Sequence, residues 1–146
     1  MSLAGDLPSK EVPRHAAGQW TVAVHKLITA KSEPLADRIM ALHFERNPKL
    51  EESYGARQRA FYLQDTRSNL ESLAAAILFE TPQIFADYVT WLVDLLEARE
   101  IPTGGLGLHF ECLRDALHEV LPAEVQSEVD SYIQAGVERL KPGPQA

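Results

Sequence analysis

The segment at positions 54–73, YGARQRAFYLQDTRSNLESL, holds polar side chains where a core helix would otherwise be apolar. Asp65 lies three residues after Tyr62 and four before Asn69, so a helix places all three on one face. Phe61 continues the same side of the helix. A carboxylate flanked by aromatic and amide groups is a candidate buried acceptor for the hydrogen-bond donors of a ligand.

The arginines of the same segment support a second interpretation. Arg57, Arg59 and Arg67 carry guanidinium groups that could pair with Asp65 on the helix surface. In that case Asp65 faces solvent, and each ion pair contributes about a few tenths of a kcal/mol. The spacing alone favours this second interpretation, in which Asp65 faces solvent.

Other chemistry has weaker support. His109 and Cys112 form an H-x-x-C pair on one helical turn, but no second pair completes a four-ligand zinc site. We therefore expect no metal, and interpret Cys112 as a partly buried small apolar residue beside a surface histidine. The serines lack a nucleophile elbow, and TGGLG at 103–107 follows no strand as a phosphate loop would. The sequence predicts no catalytic residue and no enzymatic activity.

The bulk composition is typical of a soluble globular domain. The chain has 146 residues, of which 45% are hydrophobic and 24% charged, enough for one domain with its own core. A formal charge of -7 without a basic stripe argues against nucleic acid as a partner. No apolar run approaches the roughly 20 residues of a membrane span, and the N-terminus does not resemble a signal peptide. The single cysteine excludes an internal disulfide and favours a cytoplasmic location.

Apolar spacing and breaker residues predict an all-α fold of about six helices. The predicted helices span about 19–30, 32–46, 50 or 53 to 79, 82–99, 106–120 and 122–140. Ser32 is the predicted cap of the second helix, and Thr81 with Pro82 begins the fourth. His43 continues the apolar face of the second helix. The predicted units are a mobile arm at 1–17, a single helical domain at 18–141 and a flexible tail at 142–146.

Three blocks of sequence carry a family resemblance: YLQDTRSNLE at 62–71, FADYVTWL at 85–92 and SEVDSYIQAGVERL at 127–140. Together they resemble the globin-like core of phycobiliproteins, the bilin-carrying proteins of cyanobacterial antennae. In that family a chromophore cysteine is followed three residues later by an aspartate, and here Tyr62 and Asp65 occupy those positions. Arg57 and Arg59 match basic positions that pair with bilin propionates, and Tyr88 matches a tyrosine of the next helix.

The resemblance implies a globin-like protein that binds a linear tetrapyrrole, such as biliverdin or phycocyanobilin. It implies a binding set of Asp65, Arg57, Arg59, Tyr62, Phe61, Asn69, Tyr88 and Trp91. In that set Asp65 accepts from pyrrole N–H groups, the arginines contact propionates, and the aromatic residues lie along the rings. Because Tyr62 replaces the cysteine, no thioether can form there and binding is expected to be non-covalent. The pattern is most similar to the small globins associated with bilin biosynthesis.

Two alternatives remain. Haem is not expected, because the helix after the longest one, TPQIFADYVTWLVDLLEAR, contains no histidine. The chain could instead be a pigment-free globin-like sensor or dimerisation domain in signalling.

Trp20, Val24 and Leu27 form an apolar stripe that either completes the monomer's core or pairs two copies as a homodimer. A bilin-binding role includes carriage, storage and light sensing, and the sequence does not choose among them.

Overall fold

The computed structural model describes residues 17–140, so the predicted arm (apart from its last residue) and the predicted tail lie outside the described residues. Within this range the protein is all-α, as predicted, with seven helices and no strand. The helices are α1 Ala17–Ala30, α2 Ser32–Arg46, α3 Pro48–Ser53, α4 Ala56–Leu78, α5 Pro82–Ala98, α6 Leu106–His118 and α7 Ala123–Val137. The architecture is compatible with a globin-like bundle. No helix in residues 17–140 combines the length and apolarity needed to cross a membrane.

The predicted third helix is two helices, which is why the structure has seven rather than about six. α3 ends at Ser53, and the extended backbone of Tyr54 separates it from α4. Gly55 is the N-cap of α4, and its N–H donates to the side-chain oxygen of Gln58 at 3.1 Å. This bond occupies an N–H group at the entry to α4, where the helix itself offers no partner.

The predicted helix starts had mixed outcomes. Thr81 is the N-cap of α5 and Pro82 its first residue, as predicted, because proline's missing N–H costs nothing at that position. The cap predicted at Ser32 is wrong. Lys31 is the N-cap of α2, Ser32 already lies in the helix, and no side-chain hydrogen bond caps this end.

α4 is the central helix and packs against α1, α2, α5 and α7. Trp20, Val24 and Leu27 of α1 are buried in the apolar cluster around it, so the stripe belongs to the monomer's core. α5 and α7 approach closely at Gly136, where a Cβ would lie only 2.4 Å from the Phe85 ring. The bundle therefore holds α4 from several sides.

Candidate functional site

The predicted ligand-binding residues on α4 differ in how deeply they are buried. Asn69 is buried and Tyr62 is half-buried, so they face the core. Asp65 and Phe61 are exposed. Tyr62 and Asn69 are seven residues apart, which returns them to nearly the same helical direction, whereas Asp65 points to the edge of that face. The three lie within one broad face of α4, as their spacing predicts, but only Tyr62 and Asn69 are turned towards the core.

Exposed aromatic residues occur near Asp65 on α4 and on the neighbouring helix α5, whose Tyr88 is close enough for the Asp65 charge to raise its pKa. Phe61, one turn before Asp65, is 51% exposed, and Trp91 of α5 is 56% exposed. The half-buried Tyr88 packs against Trp91 with ring centroids 5.7 Å apart. The guanidinium of Arg57 lies over the Phe61 ring, 5.4 Å from its centroid. We call these five residues, Arg57, Phe61, Asp65, Tyr88 and Trp91, the aromatic face.

Asp65 is not the buried acceptor that the sequence predicts, because its side chain is exposed. Nevertheless, desolvation by the surrounding protein raises the pKa of this carboxyl, and the charge of Arg99 offsets only part of the effect. The exposure of Asp65 and its raised pKa are compatible, because the carboxyl contacts water on one side and protein on the other. Among the described residues no ion pair within 4.0 Å involves Asp65, so the predicted surface pairing with arginines is not seen either. The Arg99 charge therefore acts on this carboxylate from beyond ion-pair distance, and no described residue forms a direct ion pair with it.

Arg59 does not lie with the aromatic face. Its guanidinium donates to the backbone carbonyls of Tyr54 at 3.2 Å and Glu51 at 3.3 Å. It also lies over the Phe44 ring, 4.9 Å from the centroid. These contacts join α3 to the start of α4, so Arg59 has a structural role that the sequence does not reveal.

Behind the aromatic face, five polar side chains form a continuous chain of hydrogen bonds. We call His43, Tyr62, His109, Asn69 and Tyr88 the buried network. The Tyr62 hydroxyl lies 2.8 Å from His43 Nδ1 and 2.9 Å from His109 Nδ1. Asn69 Nδ2 lies 2.9 Å from His109 Nε2, and the Tyr88 hydroxyl donates to Asn69 Oδ1 at 2.6 Å. The network joins α2, α4, α5 and α6 and reaches the aromatic face at Tyr88.

Burial keeps every member of the buried network neutral near neutral pH. It lowers the pKa of His109 to about 3 and also lowers the pKa of His43, where the Arg46 charge adds to the effect. It raises the pKa of Tyr62 strongly and that of Tyr88 to about 12. Charge is costly to bury without a counterion, so these groups interact through hydrogen bonds alone.

The prediction of a surface histidine beside Cys112 is wrong, because His109 is buried. Its position explains why: one residue before Phe110 and four before Leu113, it lies within the apolar series of α6, and this phase could have indicated burial. Both its ring nitrogens have partners, which leaves neither free for a metal. His43 lies on the buried face of α2, as predicted.

Cys112 is fully buried rather than partly buried. Its sulfur lies 3.7 Å from a guanidinium nitrogen of Arg46. Burial nevertheless raises the pKa of the thiol, more than the Arg46 charge lowers it. The thiolate, which is the reactive form of cysteine, is therefore disfavoured at this position.

A separate groove of about 460 Å³ lies between α6 and α7. Phe110 and Ile133 contribute apolar surface, and Arg114 and Asp130 contribute charge. The residues of the aromatic face do not line it. Within residues 17–140, no three histidine, cysteine or acidic side chains converge in a way that could hold a metal ion.

The aromatic face thus holds five residues of the predicted set, while Arg59 bonds to backbone carbonyls and Tyr62 and Asn69 belong to the buried network, which meets the face where Tyr88 donates to Asn69. No protein-family model and no curated protein sequence matches this chain.

Proposed function

We propose that this protein binds a linear tetrapyrrole non-covalently on the aromatic face. The observation that carries the proposal is the environment of Asp65: a partly desolvated carboxylate without an ion-pair partner among residues 20–140, next to exposed aromatic rings. A flat ligand with central hydrogen-bond donors would account for both features.

The residues of the aromatic face fit such a ligand in part. Asp65 would accept from pyrrole N–H groups, and hydrogen bonds to the ionised form would stabilise it. Phe61 and Trp91 would cover the faces of the rings, and Arg57 would contact a propionate. A bound bilin would supply light absorption, while these side chains orient it and restrict its protonation.

Other features set limits on the binding mode. The face is open, so a ligand would lie along α4 and α5 rather than inside an enclosed cavity. Tyr62 carries a hydroxyl where a thiol would be needed for a thioether, and that hydroxyl is already engaged by two histidines. Arg59 is engaged by backbone carbonyls, which leaves Arg57 as the propionate anchor. Binding is therefore reversible in this proposal, which suits carriage, storage or light sensing.

A second candidate function uses the same surface. Phe61 of α4 and Trp91 in the middle of α5 are both more than half exposed, and Ile101, after the end of α5, is 45% exposed. In a pigment-free signalling domain these side chains would pack against a second copy of the chain, because apolar surface gains free energy on leaving water. The two functions differ in what covers the face.

A titration of the apoprotein with biliverdin tests the proposal. We expect the free pigment's broad band to sharpen and shift to the red in a saturable manner. Asp65→Asn should weaken binding by about tenfold, which corresponds to about 1.4 kcal/mol, because it removes the charge-assisted acceptor. Trp91→Ala should also weaken it, since the ring surface is lost.

Two control variants have similar exposure but lie outside the face. Asp37→Asn removes an exposed carboxylate from α2, and Phe79→Ala removes a 66% exposed ring after the end of α4. Both should bind biliverdin as the wild type does. Equal spectra and affinities in wild type and Asp65→Asn would contradict the proposal. A concentration-dependent dimer that ignores biliverdin and is disrupted by Trp91→Ala would support the pigment-free alternative, and haemin in a parallel titration tests for haem.

A further inference from the structure

The hydrogen bonds of the buried network have one consistent direction. Tyr88 donates to Asn69 Oδ1, so the Asn69 amide nitrogen is the donor to His109 Nε2. His109 is neutral and accepts at Nε2, so its single proton lies on Nδ1 and is donated to the Tyr62 oxygen. Tyr62 must then donate its own proton to His43 Nδ1. Each of the four bonds then joins one donor to one acceptor, from Tyr88 at one end to His43 at the other.

A proton added to His43 is incompatible with this direction. Protonated imidazole carries N–H on both nitrogens, so Nδ1 becomes a donor towards the Tyr62 oxygen. Tyr62 must then turn its proton towards His109 Nδ1, which has to become an acceptor. His109 can stay neutral only by carrying its proton on Nε2, and the Asn69 amide must turn over to present its oxygen there. If the hydrogen bonds kept their original direction, the Nδ1–H of His43 and the Tyr62 hydroxyl proton would point at each other in the core, which is costly.

The last consequence falls on Tyr88. Once the Asn69 amide has turned over, its nitrogen donates to the Tyr88 oxygen, and the Tyr88 proton needs another acceptor. Tyr88 belongs to the aromatic face, and the Asp65 carboxylate is close enough to raise the pKa of Tyr88. Because Tyr88 is only half-buried, its hydroxyl proton can then point out of the core, towards the side on which the Asp65 charge acts.

We propose that the buried network is a proton-linked switch in which protonation of His43 reverses the hydrogen-bond chain and turns the Tyr88 hydroxyl towards the aromatic face. The two states differ by one proton, held on His43 Nδ1. His109 and both tyrosines keep the same number of protons in each state. The switch is a property of the protein alone, so it can be tested independently of the tetrapyrrole proposal.

The surroundings of His43 bear on where it titrates. Titratable or charged side chains on the helices packed against α2, and on α2 itself, include His25 on α1, Arg46 on α2, Glu51 on α3, Tyr62 on α4, and His109 and Cys112 on α6. His25 is engaged with the carbonyl of Ala74, and Glu51 is exposed. Burial and the Arg46 charge lower the pKa of His43 below its ordinary 6.5, so the switch operates on the acidic side of neutral.

Nitrogen NMR of the histidine rings in the apoprotein tests the switch directly, because it distinguishes the protonated nitrogen of each imidazole. At neutral pH we expect His43 with its proton on Nε2 and His109 with its proton on Nδ1. As the pH falls and His43 becomes doubly protonated, His109 should stay neutral while its proton moves to Nε2. The midpoint of that tautomer change should coincide with the His43 titration.

Three results would overturn the proposal: a His109 proton that stays on Nδ1 throughout, simultaneous double protonation of both histidines, or unfolding before His43 titrates. Circular dichroism over the same pH range detects the last of these.

Tyr62→Phe sharpens the test, because it removes the hydroxyl that joins the two histidines. In this variant the His109 tautomer should no longer follow the charge of His43. Tyr54→Phe is the matched control: its ring lies 6.3 Å from that of Tyr62, but its hydroxyl makes none of the network's bonds. Coupling that survives in Tyr62→Phe would contradict the switch. Should this variant fail to fold, the wild-type tautomer measurement decides the matter alone.

Discussion

α4 presents two sets of polar side chains that the fold treats in opposite ways. On its core side Tyr62 and Asn69 find all their partners within the protein, and no buried side-chain N or O atom in the described residues lacks a hydrogen bond. On its α5 side Asp65 has no ion pair among those residues and is bordered by exposed rings. The first set is explained by folding. The second is not, and this difference is the reason for placing ligand binding there.

The largest expected effect comes from opening the buried network at Asn69. Asn69→Ala leaves His109 Nε2 without its donor in a buried position and removes the acceptor of Tyr88. Unsatisfied buried polar groups cost about 1–3 kcal/mol each, so we expect a loss of about 2–4 kcal/mol in the free energy of unfolding. Urea denaturation followed by circular dichroism measures it.

Gln64→Ala is the control on the same helix. Gln64 is exposed, and its replacement should change the unfolding free energy by less than about 0.5 kcal/mol. If both variants had the same stability, the distinction between the two sides of α4 would be lost.

The second prediction concerns pH. Folding lowers the pKa of His109 from 6.5 to about 3, so below 6.5 the unfolded chain binds a proton that the folded protein does not. Stability therefore falls as the pH falls, by about 1.4 kcal/mol per pH unit for one histidine. Between pH 6.5 and about pH 5 the loss from His109 is about 2 kcal/mol, and the lowered pKa of His43 adds to it in the same direction.

This pH range separates the histidines from the surface carboxylates. Ion pairing lowers the pKa of Glu119 from 4.5 and that of Asp115 from 3.8, so their stabilising contributions are lost only at lower pH. His109→Gln should reduce the slope of unfolding free energy against pH by about 1.4 kcal/mol per pH unit, which corresponds to one proton. His25→Gln replaces a histidine outside the network and tests whether any histidine replacement has this effect. A wild-type stability that is constant over this range would contradict a neutral buried network.

The sequence predicts the helices better than it predicts the site, for a physical reason. Helix starts such as Thr81-Pro82 and the apolar face of α2 depend on neighbouring residues and were confirmed. The environment of Asp65 depends on how α5 packs beside α4, and a helix-edge position is compatible with either burial or exposure. The buried network depends on α2, α4, α5 and α6 meeting, which local spacing cannot specify. The helical phase of His109 was the one usable signal.

The smallest expected effect is the most specific to the aromatic face. Desolvation raises the pKa of Asp65 above 3.8, so its charged form is slightly less favourable in the folded protein than in the unfolded chain. Asp65→Asn should therefore leave stability at neutral pH unchanged or raise it by up to about 0.5 kcal/mol.

Asp115→Asn is the matched comparison, because it removes a carboxylate that pairs with Arg46 at 2.8 Å and Arg114 at 3.1 Å. It should lower stability by about 0.5 kcal/mol, the size expected of partly exposed ion pairs. Thermal and urea unfolding measure the change in unfolding free energy for each variant. A loss in Asp115→Asn without a loss in Asp65→Asn would show that the Asp115 carboxylate stabilises the fold and the Asp65 carboxylate does not. A loss in Asp65→Asn as large as in Asp115→Asn would mean that Asp65 serves folding, and the aromatic face would then need no ligand to explain it.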